Sequence, residues 1–416
     1  MRNRTALTVA LAILFCLPVV THAGTDFDWE AIPASNWSIG EDPEKGIHAA
    51  VVIFERLTLD DRDWLNEICY FTIHRRIRVL GADGRRWGDI IVPYIGEGQE
   101  IDEVRGRTVL HDGSEFYLDK SQVSETETFR SDRLKIKRKS FSLPAVSDDC
   151  IVEYYIKYRL ADSPNKWVIQ KEIFMIESEY VWTFYKGEGL SEPEYAAIAD
   201  RIAPNYIVLN AGDLLRIEKR PSASDPDQLV FSARDVPAFR PEPHSLPDDA
   251  LKWVVHHYYG QSGTPAAFWG DLDAAVTEGL DRFGKDNNRL RQVVADFEGL
   301  ATRDQKITAA YLWLQDAVVN TFYSGDDREF EDNENVDDVM KHRYGTPVDI
   351  NQTFREMLRV MNIDAKMAFT VGRDENVFLY EAKYWQFDRS LVAVPDESGE
   401  YGFYNPGDIY LPPGAV

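Results

Sequence analysis

Between about residues 46 and 231, apolar and polar residues alternate at a period of two, most clearly over 50–54, 69–79, 151–158 and 167–176. Successive side chains on a strand point to opposite faces, so these runs predict strands with one face in a core. Ala82-Asp83-Gly84, His111-Asp112-Gly113 and Ser163-Pro164-Asn165 mark turns between them. The expectation is a sandwich-like, all-β region over 24–235. Pro237, Pro241, Pro243 and Pro247 then predict an extended linker over 236–249. Beyond it the period changes. Thr302 and Gln305 form a capping box, and Ile307, Tyr311, Leu314, Val318 and Phe322 follow at helical spacing. A second helix is predicted from Thr346, with Ile350, Phe354, Met357, Leu358 and Met361 on one face and Asn362 as its left-handed cap. Strand-like runs at 366–371, 377–380, 390–394 and 401–404 close the chain. The region 250–416 therefore reads as α+β, and the whole chain as multidomain.

Composition narrows the possible partners. The 416 residues are 44% hydrophobic and carry a formal charge of −24. Such an acidic chain repels nucleic acid and anionic membrane, so neither is expected as a partner. The basic run from Lys135 to Lys139 alternates with apolar residues, as on a half-buried strand with a solvated face. Arg2 and Arg4 precede an apolar run over 6–20, and Thr21-His22-Ala23 supplies small residues behind it. That pattern predicts a signal peptide over 1–23, cleaved after Ala23, and a periplasmic or secreted protein. No later segment is apolar and long enough to span a bilayer. Cys16 leaves with the leader. Cys69 and Cys150 then remain, each near the start of a strand-like run, and in an oxidising compartment they predict a disulfide.

The order helix, helix, antiparallel strands over about 302–413 resembles the transglutaminase-like superfamily, which includes cysteine peptidases of papain-like chemistry. The upstream region resembles an uncharacterised β-rich domain that often precedes such cores in exported bacterial proteins. Thr72-Ile73-His74-Arg75-Arg76-Ile77-Arg78-Val79-Leu80, Leu143-Pro144, Cys150-Ile151-Val152-Glu153-Tyr154, Val236-Pro237-Ala238 and Glu242-Pro243 carry that part. None of these is a catalytic motif.

In the family the nucleophilic cysteine begins the second helix, in a glycine, acid, cysteine, basic, aspartate pattern. A helix N-terminus and a neighbouring histidine both favour the thiolate. The histidine follows phenylalanine and aspartate on a later strand, and an aspartate just before a proline orients it. This sequence reads Tyr344-Gly345-Thr346-Pro347-Val348-Asp349, Trp385-Gln386-Phe387-Asp388-Arg389 and Tyr404-Asn405-Pro406. Gly345, Asp349, Phe387 and Asp388 match, while Pro347, Arg389 and Asn405 stand at the three chemical positions. Proline has no nucleophilic atom, and a guanidinium stays protonated at any working pH. No cysteine follows Cys150. The resemblance therefore implies a fold without the family's chemistry, acting by binding or as a scaffold toward a protein, peptide or cell-envelope ligand. The alternative is a hydrolase of peptide or glycan using Asp349 or Asp388 as a base.

Thr346 as N-cap, Pro347 at the first helical position and Asp349 at the third also make a sound helix start. Trp385, Phe387 and Arg389, read as alternating on one strand face, form with Asp349 the expected binding wall of the cleft. No cofactor or metal is implied. The acidic loop from Gly325 to Asp338 lacks the calcium-loop spacing of an EF-hand. On a helix, the adjacent His256-His257 would diverge by about 100° and could not easily share one ion.

Overall fold

The computed structural model describes residues 27–130, 135–220, 228–243, 246–261, 263–285, 287–324, 330–372 and 377–415. The expected leader, with Cys16, lies outside them. Chain contacts cluster into 1–39 and 40–416. In the first unit the described part holds one short helix, Ala34–Trp37. Among the described residues, no helix is long and apolar enough to cross a membrane.

The N-terminal region is β-rich, as its period predicts. Its main sheet has eight strands in the spatial order Leu215–Arg220, Gln228–Val236, Met175–Thr183, Ala50–Asp60, Cys69–Val79, Cys150–Leu160, Gln99–Leu110, Glu115–Tyr117. All neighbours run antiparallel except Ala50–Asp60 beside Met175–Thr183. Two three-stranded sheets bury their apolar residues in the same core. One supplies Ile90, Val92, Tyr94 and Phe141, the other Trp167 and Val255. The predicted run 167–176 is two strands rather than one: Lys166–Val168 pairs with Val254–His256, and Met175–Thr183 joins the main sheet. The apolar residues on either side of the crossing hid it, because Ile169, Ile173 and Phe174 are buried between the two strands.

The tract Thr72 to Leu80 and the tract Cys150 to Tyr154 are neighbouring strands, and their charged residues meet inside the protein. Glu153, fully buried, accepts from Arg76 Nη2 at 2.8 Å and Arg107 Nη2 at 2.7 Å, and lies 2.9 Å from His74 Nε2. On the other sheet face, fully buried Glu55 is bound by Arg75, whose Nη1 donates to the Tyr154 hydroxyl at 2.7 Å. Burial pushes both carboxyls up, but their cationic partners outweigh it and hold both below the usual range. These two tracts thus form a buried ion network.

The expected disulfide is not there. Cys69 and Cys150 are both free and buried. Their strands are neighbours, but antiparallel: Cys69 pairs with Leu160, and Cys150 with Val79. Residues that begin two antiparallel strands lie at opposite ends of the pair, here ten residues of ~3.4 Å each, or ~34 Å apart. Burial raises the Cys69 thiol to about 12, with Asp61 adding to the shift. Such a thiol is inert.

His256 and His257 lie on the strand Val254–Gly260, so they face opposite sides rather than diverging on a helix. His257 Nε2 is 2.6 Å from the Tyr180 hydroxyl, and burial lowers the ring to about 3, keeping it neutral. After Val236 the proline-rich segment runs back along the β-rich region, with the Phe239 amide donating to the Lys171 carbonyl at 2.7 Å.

A succession of helices begins at Pro265. Pro265–Phe283 is capped by Thr264 and followed by Asn288–Ala295, Arg303–Ala317, Val336–His342 and Pro347–Val360. The capping box at Thr302 forms as predicted, and Ile307, Tyr311, Leu314 and Val318 are buried. Phe322 is not part of that stripe. The helix ends at Ala317, and Phe322 is 68% exposed. Lys366–Thr370, Arg389–Pro395 and Tyr401–Tyr404 form an antiparallel sheet against Pro347–Val360. The predicted strand at 377–380 is irregular chain.

Candidate functional site

The helix Pro347–Val360 starts with Thr346 as N-cap: its hydroxyl accepts from the Asp349 amide at 3.2 Å, and Asp349 Oδ2 accepts from the Thr346 amide at 3.0 Å. Pro347 occupies the first turn, where a missing N–H leaves no bond unmade. At the other end Asn362 has φ +58°, and the Ile363 amide closes onto the Leu358 carbonyl at 2.9 Å. Both ends were legible from the residues.

The remaining positions come to the head of this helix from the sheet. Arg389 is the first residue of its strand, and its neighbour Ser390 is buried against the helix. Asn405 follows the last strand directly. One side chain joins these pieces. Asn351, fully buried one turn into the helix, donates from Nδ2 to the Ser390 carbonyl at 2.8 Å and to Asn405 Oδ1 at 2.9 Å. Its Oδ1 accepts from the Gly407 amide at 2.9 Å. Gly407 approaches the helix so closely that a Cβ there would lie 2.5 Å from the Pro347 carbonyl oxygen. A second buried asparagine, Asn320, donates to the Gly407 carbonyl at 2.5 Å. Tyr311, from the preceding helix, has its hydroxyl 2.9 Å from the Asn405 carbonyl. The structure therefore gathers the head of the helix, the Arg389–Ser390 strand start and the Asn405–Gly407 turn at one place.

Neither nearby carboxylate is idle. Asp349 Oδ2 also accepts from Asn333 Nδ2 at 3.3 Å, and Asn333 Oδ1 lies 2.9 Å from His342 Nδ1. Asp388 accepts from the Gly372 amide at 3.0 Å. No histidine follows His342 in the chain. Among the described residues there is no group of three or more His, Cys, Asp or Glu side chains placed to hold a metal ion. Residues 325–329 of the acidic loop lie outside the description. Asp337, further along it, instead accepts from the Arg289 amide at 3.0 Å.

The expected wall divides in two. Regular strand begins only at Arg389, so Trp385 and Phe387 do not alternate with it on one strand face. Burial raises the Tyr323 phenol, Asp408 and Tyr410 add to the shift, and Arg389 opposes them. Tyr323 packs against Tyr410 and Phe322 at centroid distances of 5.5 and 5.1 Å, and Tyr410 is 77% exposed. This aromatic rim was missed, because Phe322 reads as the end of a helical stripe and Tyr410 as tail.

Trp385 and Phe387 line a different cavity of about 610 Å³, between the sheet edge and the Pro265–Phe283 helix. Trp269, Leu272, Val276 and Leu280 face it from that helix, at the spacing of one stripe.

A family model of the transglutaminase-like superfamily matches residues 291–398, a span that includes Pro347 and Arg389. Residues 291–398 are thus a transglutaminase-like domain, with a β-rich region ahead of it. No curated protein matches the chain. Among solved structures, the chain is similar to a candidate protease from Parabacteroides distasonis, with 11% identity, a TM-score of 0.53 and coverage of 86% of this chain and 67% of that one. A candidate cysteine protease from Cytophaga hutchinsonii matches at 11% identity over 82% of this chain and 77% of that one, with a TM-score of 0.23. The first of these likenesses is one of fold alone.

Proposed function

We propose that this protein is a catalytically inactive transglutaminase-like protein that works by binding a peptide or cell-envelope ligand. One observation supports this above the rest. The residue at the head of the helix, where the family keeps its nucleophile, is Pro347, built into a complete capping box beside Asn405 and Gly407. A proline offers no attacking atom, and Arg389 offers no base. Losing one member of a cooperative triad already removes most of the rate, and here all three positions have changed. The bonds made by Asp349 and Asp388 are those of a helix cap and a turn, which weighs against carboxylate hydrolysis. Arg389, exposed at the first position of its strand, carries a guanidinium suited to a carboxylate-bearing chain. A periplasmic or secreted location rests on the leader pattern over 1–23.

The test is a turnover assay of the purified protein against peptide amides and peptidoglycan fragments, alongside an Asp349→Asn, Asp388→Asn variant. The expected result is no amidase, transamidase or glycosidase rate above the blank for either protein. A rate in the parent that the double variant loses would establish the carboxylate enzyme instead.

A further inference from the structure

The cavity beside the Pro265–Phe283 helix carries a feature that packing alone does not explain. Arg355 lines it and is only 8% exposed, yet its Nε has no hydrogen-bond partner among the described residues. Its Nη1 donates to Glu356 at 2.8 Å and its Nη2 to Asp281 at 3.4 Å, so two corners of the guanidinium fork are held and the Nε edge is left over. A buried donor without an acceptor is costly, and a charged one more so.

The other walls suit a flat or apolar body. Trp269, Phe369, Trp385 and Phe387 form one aromatic group, with Trp385 5.2 Å from both Phe369 and Phe387 and Trp269 5.8 Å from Phe387. Both indole N–H groups are already used: Trp269 donates to the Tyr380 carbonyl at 2.8 Å and Trp385 to the Phe387 carbonyl at 2.7 Å. The rings therefore offer faces rather than donors. Lys366 also lines the cavity, against the single acid Asp273. Arg355 is paired with Glu356 and Asp281, and Lys366 Nζ donates to the Tyr401 hydroxyl at 3.1 Å, so these two cations are held in place at the cavity wall. The cavity's volume lies in the range of small-ligand sites, roughly 300–1,000 Å³.

We propose that this cavity binds the C-terminal residue of a peptide ending in an aromatic side chain, with the ring among the tryptophans and phenylalanines and the free carboxylate on Arg355 and Lys366. The site is separate from the head of the Pro347–Val360 helix, and it stands whether or not residues 347, 389 and 405 do chemistry.

The probe is Gly-Gly-Phe, compared with Gly-Gly-Phe amide, followed by tryptophan fluorescence and calorimetry on the full chain. The acid is expected to bind saturably at one site, and the amide at least tenfold more weakly, as the loss of a charge-assisted contact implies (about 1.4 kcal/mol or more). Trp385→Ala and Lys366→Ala, both at exposed positions, and Arg355→Lys should each weaken binding several-fold, with circular dichroism confirming that each variant is folded. Lys341→Ala, at an exposed position outside the cavity lining, should leave binding unchanged. Equal affinity for acid and amide, no saturation up to ~10 mM, or undiminished binding in the folded Trp385, Lys366 and Arg355 variants would each overturn the assignment.

Discussion

Glu153→Ala is expected to lower the unfolding free energy by about 3–5 kcal/mol, the range found when one partner of a buried ion cluster is removed. The carboxylate sits between Arg76 and Arg107, which are themselves almost wholly buried. Truncation leaves two guanidinium groups facing each other in the sheet. Against a typical total of about 5–15 kcal/mol, that is enough to leave the β-rich region partly unfolded at 37 °C. Urea denaturation measures it, and a change below ~1 kcal/mol would mean that water or Glu115 takes over the pairing. The same network sets an acid limit. Glu55 and Glu153 titrate below their unfolded value, so their contribution is complete above the unfolded carboxyl pKa and is lost as pH falls through the folded one. Asp61 works in the opposite sense. Burial raises it despite bonds from Trp182, Ser163 and Tyr259, so its contribution is largest in acid and fades as pH rises through its folded pKa.

Asn351→Leu should lower stability by about 2–4 kcal/mol, and through a different mechanism. The leucine fills most of the space but strands the Gly407 amide and the Ser390 carbonyl, each costing roughly 1–3 kcal/mol when left unpaired inside. The damage should be local. Amide exchange is expected to speed up across 403–411 and 389–391 while the strand Cys69–Val79 keeps its protection. Uniform loss of protection, or none, would show that Asn351 does not hold these segments together.

Asn351 also marks where reading the sequence stops. The helix Pro347–Val360 was legible in its cap, its apolar face and its terminator, because each depends on residues within one or two turns of each other. The strand at Tyr401–Tyr404 was legible for the same reason. The buried asparagines were not. A polar residue beside Ile350 reads as a solvated position, and only the return of the chain at Gly407 gives it a partner. The disulfide expectation failed on direction rather than on proximity, since an alternating pattern predicts a strand but not which way its neighbour runs. Trp385 and Phe387 were read as lying with Arg389 because period two was extended past the start of the strand. The Pro265–Phe283 helix went unread, since only Leu280 on it is buried and its stripe faces a cavity. The three altered positions were legible only through their flanking residues, which the family pattern supplied.

The proposed function rests on residues 347, 389 and 405 having once formed one catalytic site. Rebuilding it as Pro347→Cys, Arg389→His, Asn405→Asp and following the alkylation rate of residue 347 against pH tests that claim most directly, with Pro347→Cys, Arg389→Gln, Asn405→Asp as the control without an imidazole. If the positions share a site, the thiol ionises well below its ordinary value of about 8.5, and its rate shows a second inflection near pH 6–7 that the control lacks. A single inflection near 8.5 in both proteins, indifferent to residue 389, would show that these positions do not share a site.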